Sequence, residues 1–128
     1  MLKPIPRPVH AVADYSYSAL FSVAPELIGF DDEETAARLS RIVSGGVLLT
    51  SLLTRYELGL IRVVPFKAHL AADVAVGLLT LGAPFLFGFS RHKRARNFFV
   101  GLGAFSIMAG LLTNPEEMDE EQFSYNQK

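Results

Sequence analysis

Between Leu70 and Phe89 the chain runs for twenty residues with a single charged side chain, Asp73. As an α-helix rising ~1.5 Å per residue it would measure about 30 Å, the thickness of a bilayer's hydrocarbon core. Polar residues do not recur along it at helical spacing, as they would on the outer face of a soluble helix of this length. Pro84 lacks an N–H and disfavours helical angles at the residue before it, which predicts a kink or a break there. Gly88 supplies a flexible exit. His69 and Asp73 stand four apart and so share one helix face near its start.

The stretch has an earlier echo. Residues 10–54 align without a gap on residues 69–113, 59 positions on, with thirteen identities in forty-five positions. They are His10/His69, Ala13/Ala72, Asp14/Asp73, Leu20/Leu79, Ala24/Ala83, Pro25/Pro84, Leu27/Leu86, Gly29/Gly88, Phe30/Phe89, Ala36/Ala95, and Leu52-Leu53-Thr54 over Leu111-Leu112-Thr113. Pro6 over Pro65 extends the register upstream. Apolar matches count for little in a chain this greasy; the matched His, Asp, Pro and Gly argue for duplication.

The expected architecture is therefore all-α: a four-helix transmembrane bundle made of two tandem hairpins in parallel repeat. Repeat 1 covers 1–54, an interfacial linker 55–67, repeat 2 68–113 and an acidic tail 114–128. Helices are expected near 9–24, 35–54, 67–84 and 95–113, with breaks at Pro25 and Pro84. Helix 1 is the most polar span, carrying Asp14, Ser16, Ser18 and Ser22. Ser18 and Ser22 suit close helix packing in lipid, as do Gly101, Gly103, Ser106 and Gly110 in helix 4. The uncharged part of helix 2, Ile42 to Thr54, is too short to span alone. Arg38 and Arg41 must then snorkel or pair within the bundle, where Arg41 is a candidate partner for Asp14. Asp31 to Glu34 reads as a solvated turn whose acids favour the start of helix 2. Linker Tyr56 is expected at the headgroup level. Asn114-Pro115-Glu116-Glu117 has the form of a helix start, though the tail could equally be disordered.

An even number of spans puts both termini on one side and relates the repeats by a pseudo-two-fold axis along the membrane normal. Cations divide six against six between the two sides, so the positive-inside rule does not orient the bundle; discounting the distant Lys128 leans toward cytoplasmic hairpin turns. A net charge of −1 gives no electrostatic reason for a nucleic-acid partner, and with no cysteine there is no disulfide, thiol nucleophile or cysteine metal site. Three prolines and no apolar core within Met1 to Val9 argue against a cleavable signal peptide.

The pattern resembles the SPW-repeat family of small bacterial membrane proteins, in which a Ser-Pro-Trp signature ends the first of two transmembrane helices per repeat. The matching positions here are Ala24-Pro25-Glu26 and Ala83-Pro84-Phe85, each followed by Leu-x-Gly-Phe. Asp14, Asp73, Asn97 and the linker YELGLIRVVPFKAHLAAD also fit the family, over roughly residues 6–113. Neither copy keeps the Ser or the Trp. The resemblance implies a multi-pass protein of the bacterial inner membrane with Pro25, Gly29, Pro84 and Gly88 as its structural motif, and it implies no activity.

The constellation with chemical potential is His10/Asp14 with His69/Asp73. A His with a carboxylate one turn away suits a proton relay, an oriented metal ligand or half of a bis-histidine haem site. The simpler expectation is that both pairs lie at one depth and mark helix starts, facing outward at the lipid–water interface. On that reading no cofactor or metal is assigned and the catalytic residues are none. Arg91, Lys93, Arg94 and Arg96 form a basic turn able to meet anionic headgroups. The leading expectation is a non-enzymatic structural or accessory membrane protein, partnered by the bilayer and by itself or a larger complex. A redox or proton-handling protein using the His/Asp pairs is the first alternative, a soluble four-helix bundle the second.

Overall fold

The structure, a computed structural model, describes residues 3–119. Within them lie four helices and no sheet: α1 (Arg7–Ala24), continued by a π-helical turn (Pro25–Gly29), α2 (Glu34–Leu52), α3 (Phe66–Leu86) and α4 (Lys93–Leu112). Helix α1 packs on α2 and α3 on α4, so the hairpins follow the sequence repeat. Pro6 and Pro65 stand in extended conformation just before α1 and α3. Their carbonyls accept from the first-turn amides of His10 (3.0 Å) and His69 (3.1 Å).

No break falls at Pro25 or Pro84. Helix α3 passes through Pro84 to Leu86, and α1 runs on into the π turn that Pro25 opens. A proline removes only its own N–H and crowds the carbonyl four residues back, a local defect that one wider turn absorbs. Here Phe30 N–H donates to Pro25 O (2.8 Å) and Phe89 N–H to Pro84 O (2.9 Å), both spanning five residues. The exits come at the glycines instead. Gly29 (φ +94°) and Gly88 (φ +79°) adopt the left-handed conformation that ends a helix cheaply only without a Cβ.

The hairpins are closed by small residues at equivalent positions. In α1/α2, Ser18 Oγ donates to Ser44 O (2.8 Å), Ser44 Oγ to Ser18 O (2.7 Å) and Ser40 Oγ to Phe21 O (2.6 Å). Fifty-nine positions on, Gly77 and Gly103 let the α3 and α4 backbones touch. A Cβ at Gly103 would sit 2.8 Å from Gly77 O and 2.5 Å from Leu81 N. Gly110 faces α3 in the same way, and Ser106 donates to Asp73 O (2.8 Å). Ser22 and Gly101 point outward and take no part.

Between the hairpins, the turn end is filled by Phe21, Phe30, Phe89, Phe98 and Phe99, with Phe21–Phe98 centroids 4.9 Å apart and Phe89–Phe99 5.0 Å. At the other end the backbone is tied by parallel bridges between Ile5 and Thr113 and between Val64 and Thr54. These pairs are equivalent across the repeat.

Three local expectations are corrected. Tyr56 is not on the surface of the linker but fully buried, because the linker folds back over the bundle end. Leu60 and Ile61 amides donate to Leu52 O, and those of Val63 and Val64 to Leu53 O. Arg41 pairs with Glu26, the nearer acid on its own hairpin's turn side, and not with Asp14. Residues 114–119 form no helix, since Asn114 N–H is taken by Ile5 O and Glu117 caps α3 by accepting from Phe66 N (2.7 Å) and Lys67 N (3.1 Å). The rest of the tail, 120–128, lies outside the described residues.

Gly103→Ala should lower the thermal midpoint in detergent by an amount equivalent to about 1–3 kcal/mol, the usual cost of overpacking. Gly101→Ala, whose Cβ would meet nothing within 4 Å, should leave it unchanged or slightly raised. Equal effects from the two would contradict the α3–α4 contact.

Candidate functional site

His10 and Asp14 occupy successive turns of α1, and His69 and Asp73 the same turns of α3. The i, i+4 spacing puts each pair on one face, and both faces turn inward. The outward, interfacial placement expected from sequence is overturned: both histidines are 1% exposed and Asp14 8%. A buried charge without a partner is costly, and each carboxylate escapes that cost by facing a histidine of the other repeat.

The closest contacts cross the repeat. His10 Nε2 lies 2.7 Å from Asp73 Oδ2, and His69 Nε2 2.9 Å from Asp14 Oδ2. The i, i+4 contacts visible in the sequence are the longer ones, 3.3 Å each. The His10 and His69 rings meet edge to face with centroids 5.5 Å apart, which leaves no room for a haem between them.

The other ring nitrogens are held by two residues that the sequence reading took only as marks of duplication, Thr54 and Thr113. His10 Nδ1 is 2.7 Å from Thr113 Oγ1, and His69 Nδ1 2.7 Å from Thr54 Oγ1. Each threonine hydroxyl also lies against the carbonyl four residues back, Ala109 O (2.5 Å) and Thr50 O (2.6 Å). A carbonyl only accepts, so the hydroxyl hydrogen is spent on it, and the imidazole must donate from Nδ1. The proton on Nδ1 is thereby fixed, and both Nε2 atoms face the carboxylates. Nothing in the repeat alignment says which histidine each threonine serves; the fold crosses them.

Tyr56 completes the wall, donating to Asp14 Oδ2 (3.1 Å). Burial, helped by the negative Asp14, raises the phenol's pKa far above its ordinary value and keeps it a donor. Beside it in the linker, burial works against ionised Glu57. The hydrogen-bonded Arg7 guanidinium (2.7 Å), a backbone hydrogen bond and the nearby positive Arg62 together outweigh this and hold the carboxyl below its ordinary range.

A cavity of about 270 Å³ leads away from the cluster. Asp14, His69 and Asp73 form its polar head. Its body runs between the hairpins past Ile42, Val76, Leu79 and Phe105, which are exposed on the outer surface. The basic turn lies at the opposite end and joins neither feature. Arg91, Lys93 and Arg94 are exposed, Arg96 leans on Ser90 O and Asn97, and His92 holds Asp32 at 3.0 Å.

An all-α bundle of two duplicated hairpins defines the class, a small helical protein, and two of its helices, α3 and α4, are long and apolar enough to cross a membrane. The chain belongs to the SPW repeat domain family, whose pattern matches residues 8–113. No curated protein and no solved structure matches it. Family and apolar helices together point to a small membrane protein.

Thr54→Val and Thr113→Val keep the side-chain shape and strand a buried imidazole N–H, which costs about 1–3 kcal/mol. Because the sites are equivalent, the two variants should lose similar stability in thermal melts. A loss confined to one would contradict the crossed arrangement.

Proposed function

We propose that this chain is a four-span protein of the bacterial inner membrane, a non-enzymatic accessory protein that binds a membrane-borne amphiphile between its repeats. The four-span reading draws on where polarity lies. Of the serines that make α1 and α2 polar in sequence, Ser18, Ser40 and Ser44 are buried within the hairpin, while Ser16 and Ser22 face outward and Ser16 returns its hydroxyl to Val12 O (2.9 Å). The outer faces of the two helices also carry Val9, Val12, Val23, Ile42, Leu48 and Leu49. A helix whose polar groups bond inside the hairpin presents lipid with a largely apolar surface whatever its mean hydropathy.

The observation that carries the binding function is the cleft. Its mouth opens among side chains that face hydrocarbon on this reading, and its head offers two carboxylates and an imidazole. That combination suits an apolar-bodied molecule with a hydrogen-bonding head, entering sideways from the bilayer. Arg91, Lys93, Arg94 and Arg96 then meet anionic headgroups at the far end, each contributing about 1 kcal/mol. A second reading, cation handling by the His/Asp cluster, is favoured by the inward convergence of all four side chains.

Two measurements test the proposal. The turn end carries Arg38, Arg41, Arg91, Lys93, Arg94 and Arg96, and the cluster end Lys3, Arg7, Arg55, Arg62 and Lys67. This leans toward cytoplasmic turns. Asp31→Cys should react with a membrane-impermeant thiol reagent only after the cytoplasmic face is opened, and Leu58→Cys from outside; Leu58→Cys and Asp31→Cys reacting from the same face would refute the spans. For the cleft, native mass spectrometry of gently solubilised protein should show a retained lipid-soluble molecule, absent from Ala72→Phe. Equal retention by a folded Ala72→Phe variant, or no bound molecule in the wild type, would refute the binding site.

A further inference from the structure

We propose that His10 Nε2, His69 Nε2 and one carboxylate oxygen each from Asp14 and Asp73 form a binding site for a single divalent transition-metal ion, with Zn²⁺ the best fit. The inference shares its residues with the head of the cleft but needs no amphiphile there, so either can fail alone.

Geometry leads. One ligand atom from each of the four residues lies within 4.8 Å of all the others. Zinc binds imidazole nitrogen and carboxylate oxygen at about 2.0–2.2 Å, so neighbouring ligands of a tetrahedral site sit about 3.3–3.5 Å apart. The closest nitrogen-to-oxygen separations here are 2.7, 2.9, 3.3 and 3.3 Å, with Asp14 presenting Oδ1 to His10 and Oδ2 to His69. Seating the ion on one oxygen of each carboxylate opens the shortest pairs by a few tenths of an ångström and draws the widest, within 4.8 Å, closer together.

Orientation is the second point. A metal-binding histidine needs its lone pair on the coordinating nitrogen and commonly donates its other N–H to a fixed acceptor. Thr113 and Thr54 provide that acceptor for both rings, at Nδ1, and leave both Nε2 atoms directed at the centre. Asp14 is in turn steadied by Tyr56.

Third, His69 Nε2 is a buried polar atom that makes no hydrogen bond. It is 2.9 Å from Asp14 Oδ2, near enough for an ion pair, yet its ring direction does not aim an N–H at that oxygen. In a purely salt-bridged lock this nitrogen would be a donor left short. As a ligand lone pair it needs no acceptor, only the ion. Two neutral imidazoles, two carboxylates and one divalent cation also sum to zero charge, which suits a site within a bundle. The N₂O₂ set without thiolate suits Zn²⁺ over Cu⁺, and the imidazole pair disfavours Mg²⁺ and Ca²⁺.

The test uses full-length protein in detergent, stripped with a chelator and titrated with Zn²⁺ or Co²⁺ alone. The expected result is one ion per chain by elemental analysis and, for Co²⁺, the intense visible absorption of a tetrahedral ion. Thr113→Val, which removes an orienting group and no ligand, should weaken binding about 10–100-fold. Asp73→Asn should abolish the tetrahedral band while helicity by circular dichroism persists. Folded wild-type protein that takes up no stoichiometric ion would overturn the proposal. So would Co²⁺ binding with wild-type affinity and spectrum in folded Asp73→Asn or His69→Gln, which would mark the ion as bound elsewhere. If the variants do not fold, the wild-type stoichiometry and spectrum still decide. Metal uptake unaffected by Ala72→Phe, with no amphiphile found, would support the site and refute only the cleft's function.

Discussion

A carboxylate inside a helical bundle needs a cation or strong donors within a few ångströms, and the arrangement of this molecule follows from how that need is met. Each repeat carries one Asp and one His on the same face, close enough to satisfy each other. The fold instead makes the shorter contacts across the repeat, His10 to Asp73 and His69 to Asp14. Neither hairpin's polar face is then complete alone. The threonines reinforce the exchange, since each repeat's last residue holds a histidine. Removing one partner of such a group strands the others, whereas replacing all four with apolar residues need cost little stability. The cluster is thus better explained by specificity of assembly, and by what it binds, than by net stabilisation.

The ends of the bundle divide the remaining work. At the turn end, aromatic rings stack in edge-to-face and tilted pairs, which fill volume without polar groups. At the cluster end the linker and the residues after α4 fold inward and cover the polar groups. Gly59 shows how closely: a Cβ there would come within 1.9 Å of Thr54 O. The same cover brings Tyr56 onto Asp14 and Glu117 onto the free amides opening α3. The linker thus covers the cluster end of the bundle. Its outward side chains, Leu58, Leu60, Ile61 and Val63, remain apolar.

Much of this was legible in the residues. The duplication, the four helices, the glycine exits and the family follow from matched His, Asp, Pro and Gly at one offset. Where sequence and structure part, the causes are physical. Proline reads as a stop, but a proline one turn before a glycine exit needs only a wider closing turn. Composition alone does not show that the loop carrying Tyr56 folds back, or that Glu26 and not Asp14 meets Arg41. Thr54 and Thr113 stand in the sequence as an identity between repeats, and only the fold gives them a role. A threonine repeated at the 59-residue offset, each time closing a Leu-Leu pair, is the available signal.

What the sequence determined by itself is periodic and local: where helices run, which residues share a face, and that each feature occurs twice. Spacing along a helix dictates these, and tertiary contacts had little left to change. What only the tertiary structure decided is direction. Whether the His/Asp faces look outward or inward, and which repeat supplies each partner, depends on how one hairpin is rotated against the other. That rotation is set by contacts between residues far apart in the chain and on different hairpins: Phe21 on Phe98 and Phe99, and Tyr17, whose hydroxyl donates to Leu102 O. Helical spacing gives each face its residues; packing at those contacts turns both faces toward one centre.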